Sequence, residues 1–234
     1  MMQRERVPRS VSRCGSITCG LALLLAGCGS GLTTLLPVSV SARAEIVRDC
    51  IGIFPQGKWQ VTHVVEATLP FGNETSLIGV VAVGSSPGDF RSLLLTQEGI
   101  VLFDADYRQG KIEVRRALPP LDPTKFGRGM VQDVRLLLFA PGGTLAEVGQ
   151  SANGEFVCRW RDGEQVVDVV LTGIRQARLL RFELGSLVRE ARLSGVDPQG
   201  FAREAWLETQ GMIGYSLHLS LLDVEQDPKS RQTE

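Results

Sequence analysis

Histidine is scarce in this chain: His63 and His218 are the two present among 234 residues, and they lie far apart in sequence. Tyrosine is equally rare, and aromatic residues make up 6% of the whole. The five cysteines include no C-x-x-C pair. So thin a supply of ligands argues against a metal site, and neither a metal nor another cofactor is expected. Charge of one sign is also lacking, since the formal net charge is −1. No global field would therefore draw nucleic acid or an anionic membrane, and a nucleic-acid partner is excluded on that ground. Gly127-x-Gly129 is too short a motif to cradle a phosphate. The chain shows no internal repeat and no interdomain linker. It is long enough for one substantial core and short for two. Apolar content of 43% with 22% charged residues fits one globular domain.

No long apolar run survives uninterrupted. Residues 17–40 come nearest, but Gly27, Gly29, Gly31 and Pro37 break them, and a bilayer-spanning helix needs roughly 20 consecutive apolar residues. What stands there reads as an export signal: Arg4, Arg6, Arg9 and Arg13, then a short apolar stretch from Ile17 to Ala26. It ends in Leu25-Ala26-Gly27-Cys28, which resembles the lipobox of bacterial lipoproteins. The resemblance implies cleavage before Cys28 and acylation of that residue, palmitate being one such acyl chain. With Gly29 rather than Asp at the next position, it implies sorting to the outer membrane. A second site, Ala42-Arg43-Ala44 before Glu45, fits the small-x-small pattern of ordinary signal peptidase and would release a soluble periplasmic protein. The expected organisation is a signal over 1–27, a lipidated N-terminus and tether over 28–49, a folded domain over 50–224, and a polar tail over 225–234. A monomer is expected.

Cys14 and Cys19 belong to the signal. Cys50 and Cys158 remain in an oxidising compartment, where they either pair or stay as two separate buried thiols.

The chain after Cys50 is organised around Asp122–Pro141. Asp122 is a good N-cap with Pro123 following at the first helical position. Phe126, Met130, Val131, Val134, Leu137 and Leu138 recur at helical spacing. Lys125, Arg128, Gln132, Asp133 and Arg135 are assigned to the other faces. Gly127 and Gly129 each weaken the helix by roughly 1 kcal/mol relative to Ala, so packing must hold it. On both sides lie short extended segments separated by turn residues, five before the helix and six after. Their short connections imply antiparallel neighbours. Leu77–Val83 is apolar on both faces, so one face meets a core and the other meets the helix or a ligand. The fold class expected is mainly β with one central helix: a curved antiparallel sheet of about eleven strands, forming an incomplete barrel plugged by the helix.

Catalytic patterns are thin. Gly84-Ser85-Ser86-Pro87-Gly88 matches the G-x-S-x-G elbow, which would make Ser86 a nucleophile, but that motif needs a helix after it and a strand follows. Turn chemistry explains the residues better, and no enzyme is expected. His63 falls on the apolar face of the first long strand and reads as a buried core histidine or a ligand contact; His218 reads as solvent-facing. Arg175, Arg178 and Arg181 form a cluster that reads as a solvated strand face or a site for a phosphate or sulfate head group. Candidate lining residues of an apolar interior are Trp59, Val61, His63, Phe126, Met130, Val134, Leu137, Phe156 and Trp160. Aromatics among them are equally the stuff of a plain core.

The order of these features resembles the LolA/LolB-like family, the periplasmic carriers and outer-membrane receptors of bacterial lipoproteins. The matching residues are Asp89-Phe90-Arg91-Ser92-Leu93-Leu94-Leu95-Thr96, Gly99, Lys111–Arg116, Leu118-Pro119-Pro120-Leu121 and the helix from Asp122 to Phe139. Val131-Gln132-Asp133-Val134-Arg135-Leu136 is similar to envelope lipoproteins of the same superfamily. The resemblance implies a half-barrel whose cavity takes acyl chains, with a lipid or acylated protein as cargo and the membrane as partner through the N-terminal anchor. In the receptor the turn after the third strand carries an exposed leucine; here it reads Thr96-Gln97-Glu98-Gly99, a charged departure. The rival expectations are a scaffold lipoprotein whose interior is filled by its own side chains, and a serine hydrolase using Ser86.

Overall fold

The computed structural model describes residues 31–84, 86–211 and 214–226. Cys28, the signal segment and the end of the tail lie outside the described residues. The elements in chain order are β1 (Leu36–Pro37), α1 (Val40–Gly52), β2 (Trp59–Thr68), β3 (Glu74–Val83), β4 (Phe90–Leu95), β5 (Val101–Arg108) and β6 (Lys111–Ala117). They continue with α2 (Pro123–Leu138), β7 (Thr144–Gln150), β8 (Phe156–Asp162), β9 (Gln165–Gly173), β10 (Gln176–Glu183), β11 (Ser186–Ser194), β12 (Glu204–Thr209) and β13 (Ser216–Gln226). All the strands join one sheet in the order β1-β7-β8-β9-β10-β11-β12-β13-β2-β3-β4-β5-β6. Every pairing is antiparallel, and the sheet stays open between β6 and the short β1.

Topology places α2 where the sequence pattern wants it. The helix leaves β6, at one edge, and delivers the chain to β7, which only β1 separates from the other edge. It therefore crosses the concave face and can bury its apolar stripe there. Asp122 accepts hydrogen bonds from the backbone N–H of Thr124 (3.0 Å) and Lys125 (2.8 Å), satisfying two of the donors that a helix start leaves open. Gly127 lets the helix sit close: a Cβ built there would stand 3.3 Å from Phe103 and 3.5 Å from Val114.

Three elements depart from the expected count. The stretch read as a tether carries β1 and α1. Ser39 caps α1 by accepting the amide of Ala42 (3.3 Å), and Ala42, Arg43, Ala44 and Glu45 are good helix formers. Its apolar signal is weak because only Ile46 and Cys50, four residues apart, are fully buried. Strand β7 escaped notice for a related reason, as Thr144-Leu145-Ala146-Glu147-Val148-Gly149-Gln150 has few strand formers. Gly149 is required there, since a Cβ would lie 2.6 Å from the Leu36 carbonyl oxygen. The helix reading of Asp133 is also corrected: it is buried and turned inward, not placed on an outer face.

Cys50 of α1 and Cys158 of β8 are joined in a disulfide that closes 108 residues. Around it lies the larger core: Ile46 and Phe54 from the α1 side, Leu136 and Leu137 of α2, and Trp160, Val169, Leu179 and Leu207 from the strands. A second core gathers Trp59, Val61, Val81, Phe90, Val131 and Phe201. On the opposite, convex face Leu35 packs on Val157 and Val170. There Arg159 forms a buried pair with Asp168 through Nε (2.7 Å) and Nη2 (2.7 Å), and Nη2 also donates to the Thr33 carbonyl (2.9 Å). These bonds hold the N-terminal segment on the outside of the sheet.

Replacing both cysteines (Cys50→Ala with Cys158→Ala) is expected to lower unfolding stability by about 5 kcal/mol, the chain-entropy value for a loop of this length. Urea unfolding of the variant against the oxidised wild type measures it.

Candidate functional site

The concave side divides along α2. Under its C-terminal half the packing is tighter, with Val131, Leu136 and Leu137 buried. Val131, Val134 and Leu138 reach the core containing Trp59, Val61 and Phe90, while Leu136 and Leu137 reach the disulfide core with Trp160. Phe139, just past the helix, sits 5.8 Å from Trp59 and 5.3 Å from Phe90, ring centre to ring centre.

Under the N-terminal half the packing is looser. Phe126 meets Phe103 edge to face at 4.8 Å. The Ser92 hydroxyl donates to the Met130 sulfur at 3.3 Å, which seats Met130 over β4. Alternation and register turn Leu77, Leu94 and Leu217 to the same face, because Leu94 pairs with Gly79 and Phe103 while Leu77 and Leu217 pair with Val65 and Ala67. Val65, Ala67 and Phe103 are buried, whereas Leu77, Leu94 and Leu217 remain only half-buried, as do Phe126 and Met130. An apolar mouth thus opens at this end of the trough, and it can take up apolar surface without breaking any polar contact other than that one weak bond.

The charged floor beside it was not legible beforehand. Asp133 of α2 accepts from Arg189 Nε of β11 (2.8 Å) and from the Tyr215 hydroxyl. Burial pushes its carboxyl up from the ordinary value, and Arg189 opposes that shift. Burial likewise pushes Tyr215 well up. Arg181 lies opposite Arg189 in the register, with its charged end on Glu183 (2.8 Å) and its Nε buried without a partner among the described residues.

The nine candidate residues do not form one lining. Trp59, Val61 and Val134 belong to one closed core, and Leu137 and Trp160 to the other. Phe126 and Met130 border the mouth. Phe156 stands apart at the end of β8, 39% exposed. His63 is buried beside Val61 and Val65, opposite Gly79 and Leu221, with no hydrogen bond to its ring among the described residues. Desolvation lowers its pKa to about 4, with the Glu204 charge partly offsetting the effect.

Two other readings, the arginine cluster and His218, are corrected, while the turn at Gly84–Gly88 stands. The Arg175, Arg178 and Arg181 cluster is split: Arg175 is in a turn at φ 59°, Arg178 faces outward, and Arg181 faces the trough. Gly84–Asp89 closes a hairpin through Gly84 N–H to the Asp89 carbonyl (2.7 Å), and strand β4 follows, so Ser86 is not on a strand-to-helix elbow. His218 is not simply solvated. Its Nδ1 lies 2.9 Å from Glu66, its Nε2 lies 2.8 Å from Glu204, and its ring stacks on Trp206. Two cavities, of about 480 and 470 Å³, open on this part of the sheet, and no residue of α2 lines either.

No family model matches the chain, and no curated protein matches it. It is similar to two solved structures from bacteria. One is a LolA superfamily protein from Nitrosomonas europaea, with 12% identity, TM-score 0.48, and coverage of 82% of this chain and 97% of the other. Another is a putative outer membrane lipoprotein-sorting protein domain from Vibrio parahaemolyticus, with 11% identity, TM-score 0.47, and coverage of 83% and 97%. The likeness lies in the fold alone.

Asp133→Ala would leave Arg189 buried with uncompensated charge. It is expected to cost about 3–5 kcal/mol in a denaturant titration. His63 gives a pH dependence of definite sign. Its folded pKa is depressed, so its contribution is complete above the ordinary value of 6.5 and is lost as pH falls from there towards 4. The span corresponds to about 3 kcal/mol. His218 acts oppositely, since hydrogen bonds to Glu66 and Glu204 raise its pKa. Comparing the stability of wild type with that of His63→Gln across this range cancels the His218 contribution, and the variant is expected to give the flatter profile below pH 6.5.

Proposed function

We propose that this protein is a lipid-anchored envelope protein that shelters an acyl chain, of a lipid or of an acylated protein, in the mouth under the N-terminal half of α2. The observation that carries the reading is the contrast along one helix. In its C-terminal half Val131, Leu136 and Leu137 are buried in two cores, with Val134 and Leu138 packed against them, while Leu77, Leu94, Phe126 and Met130 face the same trough half-buried and belong to neither core. Apolar surface removed from water contributes about 25 cal/mol per Å², or roughly 0.8 kcal/mol per buried methylene, so even partial insertion of a chain is favourable. No covalent chemistry is required. Transfer to a partner is then a difference between two affinities.

Anchoring through Cys28 at the periplasmic face of the outer membrane completes the reading, with the protein acting in transport or localisation there. The structure around the rival cleavage site supports the lipobox cut. Ala44 lies inside α1, which runs unbroken from Val40 to Gly52, and cleavage after it would remove the Ser39 cap and the first turn. Release as a soluble periplasmic protein is the alternative.

A second reading, the scaffold lipoprotein, is favoured by one observation: both cavities lie away from α2. The two readings part in native mass spectrometry of the purified protein, where the first expects a retained lipid mass and the second expects none. Met130→Asp puts a charge in the mouth at a half-buried position that the fold tolerates. Affinity for a fluorescent fatty acid is expected to fall at least about tenfold, since a buried unpaired charge is strongly unfavourable. Unchanged binding in a folded variant would overturn the assignment.

A further inference from the structure

The convex face carries a second constellation, independent of the trough. Outward positions of five strands fall into one row across the sheet. Arg178 pairs with Arg192, Arg192 with Trp206, Trp206 with His218, and His218 with Glu66. Trp206 is the hinge of this row and the one residue shared by both cavities. Its indole is 40% exposed, whereas Trp59 and Trp160 are 4% and 7% exposed. A single exposed aromatic is common on protein surfaces. What distinguishes this one is that its orientation is set in advance.

The imidazole of His218 lies parallel to the indole, with centroids 5.0 Å apart and 6° between the planes. That imidazole is itself held from both ends by Glu66 and Glu204, and Glu204 also accepts from the Ser220 hydroxyl at 2.8 Å. One face of the indole is thus occupied and the ring is braced. Its other side borders the cavity of about 470 Å³, whose polar wall consists of Thr172, Gln176, Arg178, Arg192 and Ser194. Neither arginine is saturated. Arg178 reaches Glu155 only at 3.6 Å, and its Nε is buried without a partner among the described residues. Arg192 engages Glu190 through Nε at 3.3 Å. A guanidinium has five donors in a rigid fork suited to a carboxylate.

We infer that this groove binds a saccharide ring bearing a single carboxylate, with its apolar C–H face on Trp206 and its carboxylate between Arg178 and Arg192. The hydroxyls of Thr172 and Ser194 and the amide of Gln176 are matched to sugar hydroxyls, which both donate and accept. Charge sets the limit on the ligand. Beyond Trp206 the row turns acidic, with Glu66, Glu74 and Glu208 lining the neighbouring cavity. A polyanion running along the row would meet these carboxylates, so one anionic ring fits where a nucleic acid strand does not.

The test uses the indole N–H signals of the three tryptophans in a heteronuclear NMR spectrum, with Trp206→Phe identifying the one that matters. Methyl glucuronide is the probe, methyl glucoside its uncharged counterpart, and acetate the bare carboxylate. Methyl glucuronide is expected to shift the Trp206 signal saturably while leaving those of Trp59 and Trp160 in place. Arg192→Gln and Arg178→Gln should each weaken binding by about tenfold, the order expected for losing a charge-assisted hydrogen bond. Unmoved Trp59 and Trp160 signals report that each variant is folded. A Trp206 signal that does not respond overturns the inference. So does an equal response to glucuronide and glucoside, or a glucuronide affinity unchanged in both arginine variants. An equal shift with acetate removes the sugar from the assignment and overturns it too.

Discussion

The constraint on which this structure depends is that one helix must carry the chain from one edge of an open sheet almost to the other while covering the sheet's apolar face. Apart from the short β1, the strands before α2 form one wing of the sheet and those after it form the other, and β2 joins β13 in the middle. Strands that are apolar on both sides cannot leave the inner one to water. α2 is the element in position to cover it, and a stripe of residues spaced by three and four lets it do so. Its length, Pro123 to Leu138, seals only part of the trough. The sealed part holds the two cores, and the open part is the mouth.

A polar lock governs how the helix sits. Asp133 is buried against Arg189 and Tyr215, so α2 is tied to β11 and to the segment leading into β13 by directional bonds as well as by packing. Buried ion pairs are weak evidence for stability, because desolvation opposes their attraction. Their use here is registry: apolar contact alone would let a helix slide or rotate in a smooth trough, and a fixed carboxylate does not. The disulfide acts in the core that Leu136 and Leu137 of α2 also enter, pinning α1, a helix with a narrow apolar stripe, to β8.

The two faces of the sheet then serve different chemistry. The concave face is apolar, partly closed and suited to a flexible chain. The convex face is polar, with a braced indole between arginines on one side and carboxylates on the other. Strand alternation produces this division, since neighbours in sequence point to opposite sides. It also explains why Arg178 and Arg181, three apart, part company.

The amino-acid sequence by itself determined the strand-rich character, the antiparallel connections, the placement of α2 and the apolar pattern of the trough. These follow from local periodicity, caps and turn residues, which act over a few positions. Asp122 with Pro123, and the spacing of Phe126, Met130 and Val134, were enough for the helix. It did not reveal α1 or β7, whose own apolar signals are faint and whose stability comes from partners more than a hundred residues away in the one case and from a neighbouring edge strand in the other. Nor did it reveal that Asp133 is internal, that His218 is clasped by two glutamates, or that Trp206 stands between two grooves. Only the tertiary structure decided those, because cross-strand register sets which distant side chains become neighbours, and no short-range pattern encodes it.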